Sequence, residues 1–177
     1  DGDPNRRFSG TDKQWPTVGR AWENPSGGPI SALIVGGRDM KDETLSYQTC
    51  DWKHGVYTAA TMGSAMTAAA AGTVGKLRSD PFAMLPFCGY NMADYWGHWL
   101  ELGKRAGARM PKLYYVNWFR KSDGGDFLWP GFGENGRVLK WIFDRCEGTA
   151  KATETPIGNL PADGEIDLEG LGDVSAA

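Results

Sequence analysis

Lys112-Leu113-Tyr114-Tyr115-Val116-Asn117-Trp118 is a short apolar and aromatic run that follows a proline, Pro111. It reads as a buried strand. The chain continues Asn117-Trp118-Phe119-Arg120-Lys121-Ser122-Asp123-Gly124-Gly125-Asp126-Phe127-Leu128-Trp129-Pro130-Gly131-Phe132-Gly133-Glu134-Asn135. Gly, Asp, Ser and Pro make this stretch a loop. A helix then starts near Asn135, placing Val138, Leu139 and Ile142 on one face with Trp141 and Cys146 near it. A strand, a ligand-sized loop and a helix in succession point to an α/β chain. Trp118, Phe119, Phe127, Trp129 and Phe132 crowd aromatic rings into the loop. Such rings either cover one edge of the core or clamp a flat ligand by stacking, a nucleobase being the commonest.

Outward from this segment, composition sets limits. A chain of 177 residues with 41% hydrophobic content suits one domain, or part of a larger one. A net charge of −3 and a pI near 5.4 argue against a general nucleic-acid or membrane binder, which needs a large positive surface. No apolar stretch approaches the roughly 18 residues of a spanning helix, and no signal-peptide pattern opens the chain, so a soluble, cytoplasmic protein is expected. Cys50, Cys88 and Cys146 lack CxxC spacing and read as reduced, buried thiols. The chain opens at Asp1 in a Pro- and Arg-bearing loop and closes at Ser-Ala-Ala, as a segment of a longer protein would.

Residues 1–28 read as an ordered loop. Within it, Asp3-Pro4-Asn5-Arg6-Arg7-Phe8 offers adjacent arginines for a carboxylate or phosphate, or is a solvated basic turn. Pro29-Ile30-Ser31-Ala32-Leu33-Ile34-Val35 reads as a second buried strand, ended by Gly36-Gly37. Arg38, just past that strand end, either meets an anion or pairs with Asp39, Asp42 or Glu43. Trp52 to Thr58 is expected to be extended, with His54 structural rather than catalytic. Residues 59–75 are mostly small and form either a mobile lid or, over residues 67–71, an Ala-rich helix. Asp80 to Tyr90, with two prolines, should be a rigid buried connection. Asn91 caps a helix whose Met92, Tyr95, Trp96, Trp99 and Leu100 form a core stripe. Lys104 to Arg109 place positive charge at its C-terminal end, and Pro111 closes it. Residues 150–177 form a polar tail with a turn at Thr155-Pro156-Ile157-Gly158.

The run Val116-Asn117-Trp118-Phe119-Arg120, followed by Phe127-Leu128-Trp129-Pro130-Gly131-Phe132-Gly133-Glu134-Asn135, resembles the guanine-binding segment of GTP-dependent phosphoenolpyruvate carboxykinases. Other segments agree in order: Asp3-Pro4-Asn5-x-Arg7-Phe8, Gly36-Gly37-Arg38, Trp52-x-His54-Gly55-Val56, Thr67-Ala68-Ala69-Ala70, Asp80-Pro81-Phe82-Ala83-Met84 and Thr155-Pro156-Ile157-Gly158. The resemblance implies part of the family's mixed-sheet nucleotide-binding domain, without its P-loop, since no Gly-x-x-x-x-Gly-Lys-Ser/Thr motif occurs. It implies the reaction of oxaloacetate with GTP to phosphoenolpyruvate, GDP and carbon dioxide, a step of gluconeogenesis. Mn²⁺ would act at the reacting centre, and Mg²⁺ or Mn²⁺ would accompany the nucleotide, all held by residues outside this chain. The complete protein would be a monomer.

By the same resemblance, Phe119, Phe127 and Phe132 are the guanine-stacking rings, Trp118 shapes their pocket and Asn135 reads the guanine edge. Asn5 and Arg7 in the loop of residues 1–28 hold the substrate carboxylate or phosphate, and Arg38 meets the transferring phosphoryl group. Residues 64–75, including Ser64, Ala65, Thr67, Gly72 and Gly75, resemble the lid. Asp39 and Ala65 depart from the family, which usually has a second basic residue and often has Glu at those positions. Two rival expectations remain: a non-catalytic purine-nucleotide or single-strand binding module, and a segment whose loop binds nothing.

Overall fold

The computed structural model describes residues 11–19, 21–39, 44–66, 73–105, 109–131, 133–172 and 174. The chain divides into two compact units, Asp1–Ile30 and Ser31–Ala177. In the first, a 3-10 turn at Asp12–Gln14 leads into successive tight turns, in which Val18, Trp22, Asn24 and Gly27 donate to Trp15, Gly19, Ala21 and Asn24.

The second unit carries the sheet. Strands β1 (Ala32–Gly36), β2 (Ser46–Gln48), β5 (Lys112–Val116), β6 (Ala152–Thr155) and β7 (Gly158–Pro161) form one sheet in the order β1-β5-β2-β7-β6. β1 and β5 are parallel, while the other pairs are antiparallel, so the sheet is mixed, as expected. A separate hairpin joins β3 (Gly63–Ala65) to β4 (Leu77–Ser79).

Helices α1 (Trp52–Thr61), α2 (Met92–Gly103) and α3 (Asn135–Glu147) complete the fold. Successive residues of β5 point to opposite faces of the sheet. Tyr114 and Val116 pack with Val138, Trp141 and Ile142 of α3, together with Leu45 and Trp129. Tyr115 packs with Tyr47 and Met62, and the Leu113 side chain lies against Gly55 of α1. The two helices therefore cover opposite faces.

Several expectations change. The run from Trp52 to Thr58 is helical rather than extended, because Asp51 caps it by accepting from the His54 amide at 2.7 Å. Val56, Ala59 and Ala60 then give it a buried side. β1 is an edge strand rather than a fully buried one, with Ile34 exposed. The α2 stripe is half-buried, and its rings pack among themselves. Trp52 stacks on Trp99 at 5.4 Å and donates its indole N–H to the Trp99 carbonyl, while Phe82 lies 4.9 Å from Trp99. Gly103 is required where α2 crosses α1, since a Cβ there would sit 2.4 Å from the Trp52 ring.

The Asp80–Tyr90 connection is two 3-10 turns, Pro81–Ala83 and Leu85–Phe87. Only Asp80 and Pro81 in it are buried, and Phe87 and Tyr90 are exposed. Leu139 points outward, since α3 buries Val138, Trp141 and Ile142 instead. In the tail, Thr155-Pro156-Ile157-Gly158 is a turn, as expected, but it joins two strands. Cys50 is exposed, and Cys88 and Cys146 are half-buried; all three are free thiols.

Tyr114 offers a test of the core. Burial, and then the hydrogen bond with the Cys146 thiol at 3.6 Å, push its hydroxyl well above the ordinary value near 10. A phenol that stays protonated in the fold but ionises when unfolded contributes stability that is fully present below pH 10 and is lost as pH rises further. Urea unfolding from pH 9 to 11 should show stability falling by up to ~1.4 kcal/mol per pH unit from this group. Tyr114→Phe should remove that part of the slope, and an unchanged slope would contradict it.

Candidate functional site

Because β1 and β5 are parallel and Gly36 registers with Val116, their C-terminal ends lie side by side. The segments Gly37-Arg38-Asp39 and Asn117-Trp118-Phe119 leave the sheet there, at the edge where open α/β sheets place ligands. At Gly37 a Cβ would stand 2.2 Å from the Gly63 carbonyl oxygen, so glycine is needed where this turn meets β3.

The Arg38 backbone is held on both sides. Its amide donates to the Ser64 hydroxyl at 3.2 Å, and its carbonyl accepts from the Ala65 amide at 2.8 Å. Its exposed guanidinium lies over the Phe119 ring, 5.4 Å from the centroid. That distance is within the range of a cation–π attraction.

Asn117 joins the two segments. It is fully buried, donates its side-chain amide to the Asp39 carbonyl at 2.8 Å and accepts from the Phe119 amide at 3.2 Å. Its own amide donates to the Leu45 carbonyl. One side chain thus fixes the distance between the turn bearing Arg38 and the loop bearing Phe119.

Past Phe119, the chain forms a narrow hairpin bridged at Lys121 and Phe127. Leu128 donates to the Arg120 carbonyl, and the Asp126 amide donates to the Ser122 hydroxyl. Gly125, at φ 90, permits the turn. This brings Phe127 edge-on to Phe119 at 6.3 Å, with the Lys121 ammonium 4.7 Å from the Phe127 centroid. Phe119 is 37% exposed and Phe127 58% exposed, so both rings keep apolar area open to a ligand. The loop also has a closed side. Trp129 is 2% exposed in the main core and donates its indole N–H to the Asn135 side-chain oxygen at 2.8 Å, while half-buried Trp118 packs on the same core.

The residues singled out from sequence therefore divide. Arg38, Phe119 and Phe127 come together, Trp118 backs them, and Asn135 is tied to the loop through Trp129. Ser64 and Ala65 are buried strand residues of β3 rather than loop residues, and Gly75 sits in a turn at φ 82. Asn5, Arg7, Thr67, Gly72 and Phe132 lie outside the described residues. Asn117, Trp129 and the contact of Ser64 with Arg38 were missed as determinants of the site. A local signal existed only for Asn117, whose short amide can accept from the backbone two residues on.

His54 has its Nδ1 accepting from the Cys50 amide, a local contact at the start of α1. Among the described residues, no group of three His, Cys, Asp or Glu side chains is placed to hold a metal ion. No helix among them is long and apolar enough to cross a membrane.

A sequence model of the family described as "Phosphoenolpyruvate carboxykinase C-terminal P-loop domain" matches residues 2–177. The protein named "Phosphoenolpyruvate carboxykinase [GTP]" of Treponema pallidum (strain Nichols) is 52% identical over 170 residues, covering 95% of this chain and 28% of that protein. Proteins of the same name from Chlamydia caviae and Chlamydia pneumoniae are 52% and 50% identical over 169 residues, with the same coverage. This chain therefore spans about 28% of the length of the curated relatives it matches.

Proposed function

Because the chain belongs to the GTP-dependent phosphoenolpyruvate carboxykinase family, we propose that it supplies the guanine-binding face and the phosphoryl-contacting arginine of such an enzyme. The complete protein would convert oxaloacetate and GTP to phosphoenolpyruvate, GDP and carbon dioxide, a cytoplasmic, monomeric enzyme of gluconeogenesis. The single observation that supports this best is the placing of Arg38 over the open Phe119 ring, which Phe127 meets edge-on, at adjacent parallel strand ends.

Each residue then has a physical task. Phe119 and Phe127 stack the base, for about 1–3 kcal/mol per stacked base by comparison with other stacking sites. Trp129 holds the Asn135 oxygen, which leaves the Asn135 amino group to donate. Guanine O6 accepts such a bond, whereas adenine carries an amino donor at the equivalent position, so the arrangement rejects adenine. Arg38 neutralises charge on the phosphoryl group in flight. Asn5 and Arg7 for the substrate anion, and Phe132 as a third ring, belong to the same reading, as does residues 64–75 acting as a lid.

The Mn²⁺ and the second divalent ion that the family resemblance implies would stabilise enolate and phosphate charge. Among the described residues no group of three His, Cys, Asp or Glu side chains is placed to hold either ion, and their ligands would come from parts of the enzyme outside this chain.

Tryptophan-fluorescence titration of the complete protein tests the pocket. GTP and ITP should bind about tenfold or more tightly than ATP, the discrimination of one buried hydrogen bond. Asn135→Ala should bring the three nucleotides together. Equal affinity for ATP in the unaltered protein would reject the assignment of Asn135. The 177-residue polypeptide alone should show no GTP-dependent decarboxylation of oxaloacetate, and measurable turnover would refute that part. A second reading, a non-catalytic purine-nucleotide binder, draws on the same exposed rings and requires a complete protein that binds GTP without turning it over.

A further inference from the structure

Arg38 is restrained at three points by groups that lie far from it in sequence. Its amide and carbonyl are tied to Ser64 and Ala65 on β3, so the backbone cannot swing to aim the side chain. Its guanidinium lies over the Phe119 ring, 5.4 Å from the centroid. Between the anchored backbone and that ring lie the flexible torsions of an arginine side chain, which unrestrained would sample many directions. The Phe127 ring is different: its cation is Lys121, two residues beyond Phe119 on the same hairpin.

We propose that Phe119 is a positioning residue for Arg38 as well as a base-stacking ring, so that the ring under the base also limits where the phosphoryl-contacting arginine can go. This rests on the reading of Arg38 given above and adds to it a role for Phe119 that base stacking alone does not supply. A ring that only stacks on the base affects nucleotide affinity. A ring that also presents a π face to the guanidinium restricts the arginine to the rim of the pocket before and during transfer, and its loss lowers turnover even when nucleotide saturates. Both side chains are exposed, so the attraction is modest, and the expected effect on kcat is about twofold to fivefold.

The two rings of one pocket provide the control. In the complete enzyme, Phe127→Leu and Phe119→Leu should both raise KM for GTP, and Phe119→Leu should lower kcat about twofold to fivefold further than Phe127→Leu does. Phe119→Tyr keeps the π face and should restore kcat. In NMR spectra of the same proteins, the Arg38 Nε–H resonance should lose its ring-current shift in Phe119→Leu and keep it in Phe127→Leu, a readout independent of turnover. Matching KM and kcat changes in the two leucine variants, no recovery of kcat with tyrosine, or an Arg38 resonance indifferent to Phe119 would overturn the proposal. If neither leucine variant raises KM for GTP, it is the base-pocket reading itself that fails.

Discussion

Trp129→Ala is expected to lower the unfolding free energy by about 3–5 kcal/mol, the range for removing a buried aromatic side chain. Trp129 is 2% exposed and belongs to the cluster formed by Tyr114, Val116, Val138, Trp141 and Ile142, so its loss opens a cavity between β5 and α3 rather than trimming the surface. The loop above would lose its anchor in the same step, because Trp129 is also the hydrogen-bond partner of Asn135. Urea unfolding, followed by far-UV circular dichroism, gives the stability change, and a loss below about 1 kcal/mol would show that the ring is not part of the core. Trp129→Phe separates the two roles. It keeps most of the apolar volume but removes the indole donor, so stability should fall by only about 1–2 kcal/mol while the preference for GTP over ATP weakens. If the preference survives unchanged in Trp129→Phe, then the indole does not orient Asn135.

Asn117→Asp should have an effect of similar size from a change of one atom. The Asn117 amide donates to the Asp39 carbonyl inside a fully buried site. Placing a carboxylate oxygen there sets two acceptors against each other and buries a charge left with the Phe119 amide as its donor, which together cost about 3 kcal/mol. The sign of the pH dependence is fixed by burial. Desolvation raises the introduced carboxyl group above its unfolded value near 4, so the variant should resemble the native protein near pH 4, where a protonated carboxyl can donate to the same carbonyl. Stability should then fall as pH rises toward 7. Thermal melts at pH 4.5 and 7.5 would show this, and a variant equally stable at both would mean that the site is open to water. Since Asn117 also accepts from the Phe119 amide, the variant should loosen the contact between Arg38 and Phe119.

The parts of the fold that are legible in the sequence are those with a strong local apolar signal. β5 carries an unbroken apolar run, as suits a strand covered on both faces, and Val138, Trp141 and Ile142 keep the 3.6-residue spacing of one helix face. Leu139 lies on the exposed side although it adjoins the stripe, because an apolar residue beside a helical stripe carries no mark of where the stripe ends. Residues 52–58 are helical although Val56, Tyr57 and Thr58 favour strands locally. The deciding feature was one cap, Asp51, together with the room Gly55 leaves against Leu113. The polar strand Ala152–Thr155 gave no signal, since an edge strand facing solvent needs no apolar alternation. At the site, the rings of the loop and Arg38 stood out by residue type. Their juxtaposition depends on the parallel pairing of β1 with β5, and the tie of Arg38 to Ser64 spans 26 residues; neither is written in a local pattern.

That parallel pair also has a kinetic consequence. Gly36 must find Val116 some eighty residues further along the chain, and everything between them has to be gathered before the pair can close. Contacts of such long range are slow to form, and on a ribosome they must wait until β5 has left the exit tunnel. Arg38 therefore meets Phe119 late in folding. Ring-current shifts at that arginine would time the final closure of the sheet, and a stalled or truncated chain ending before Val116 would hold half a binding face with nothing to complete it.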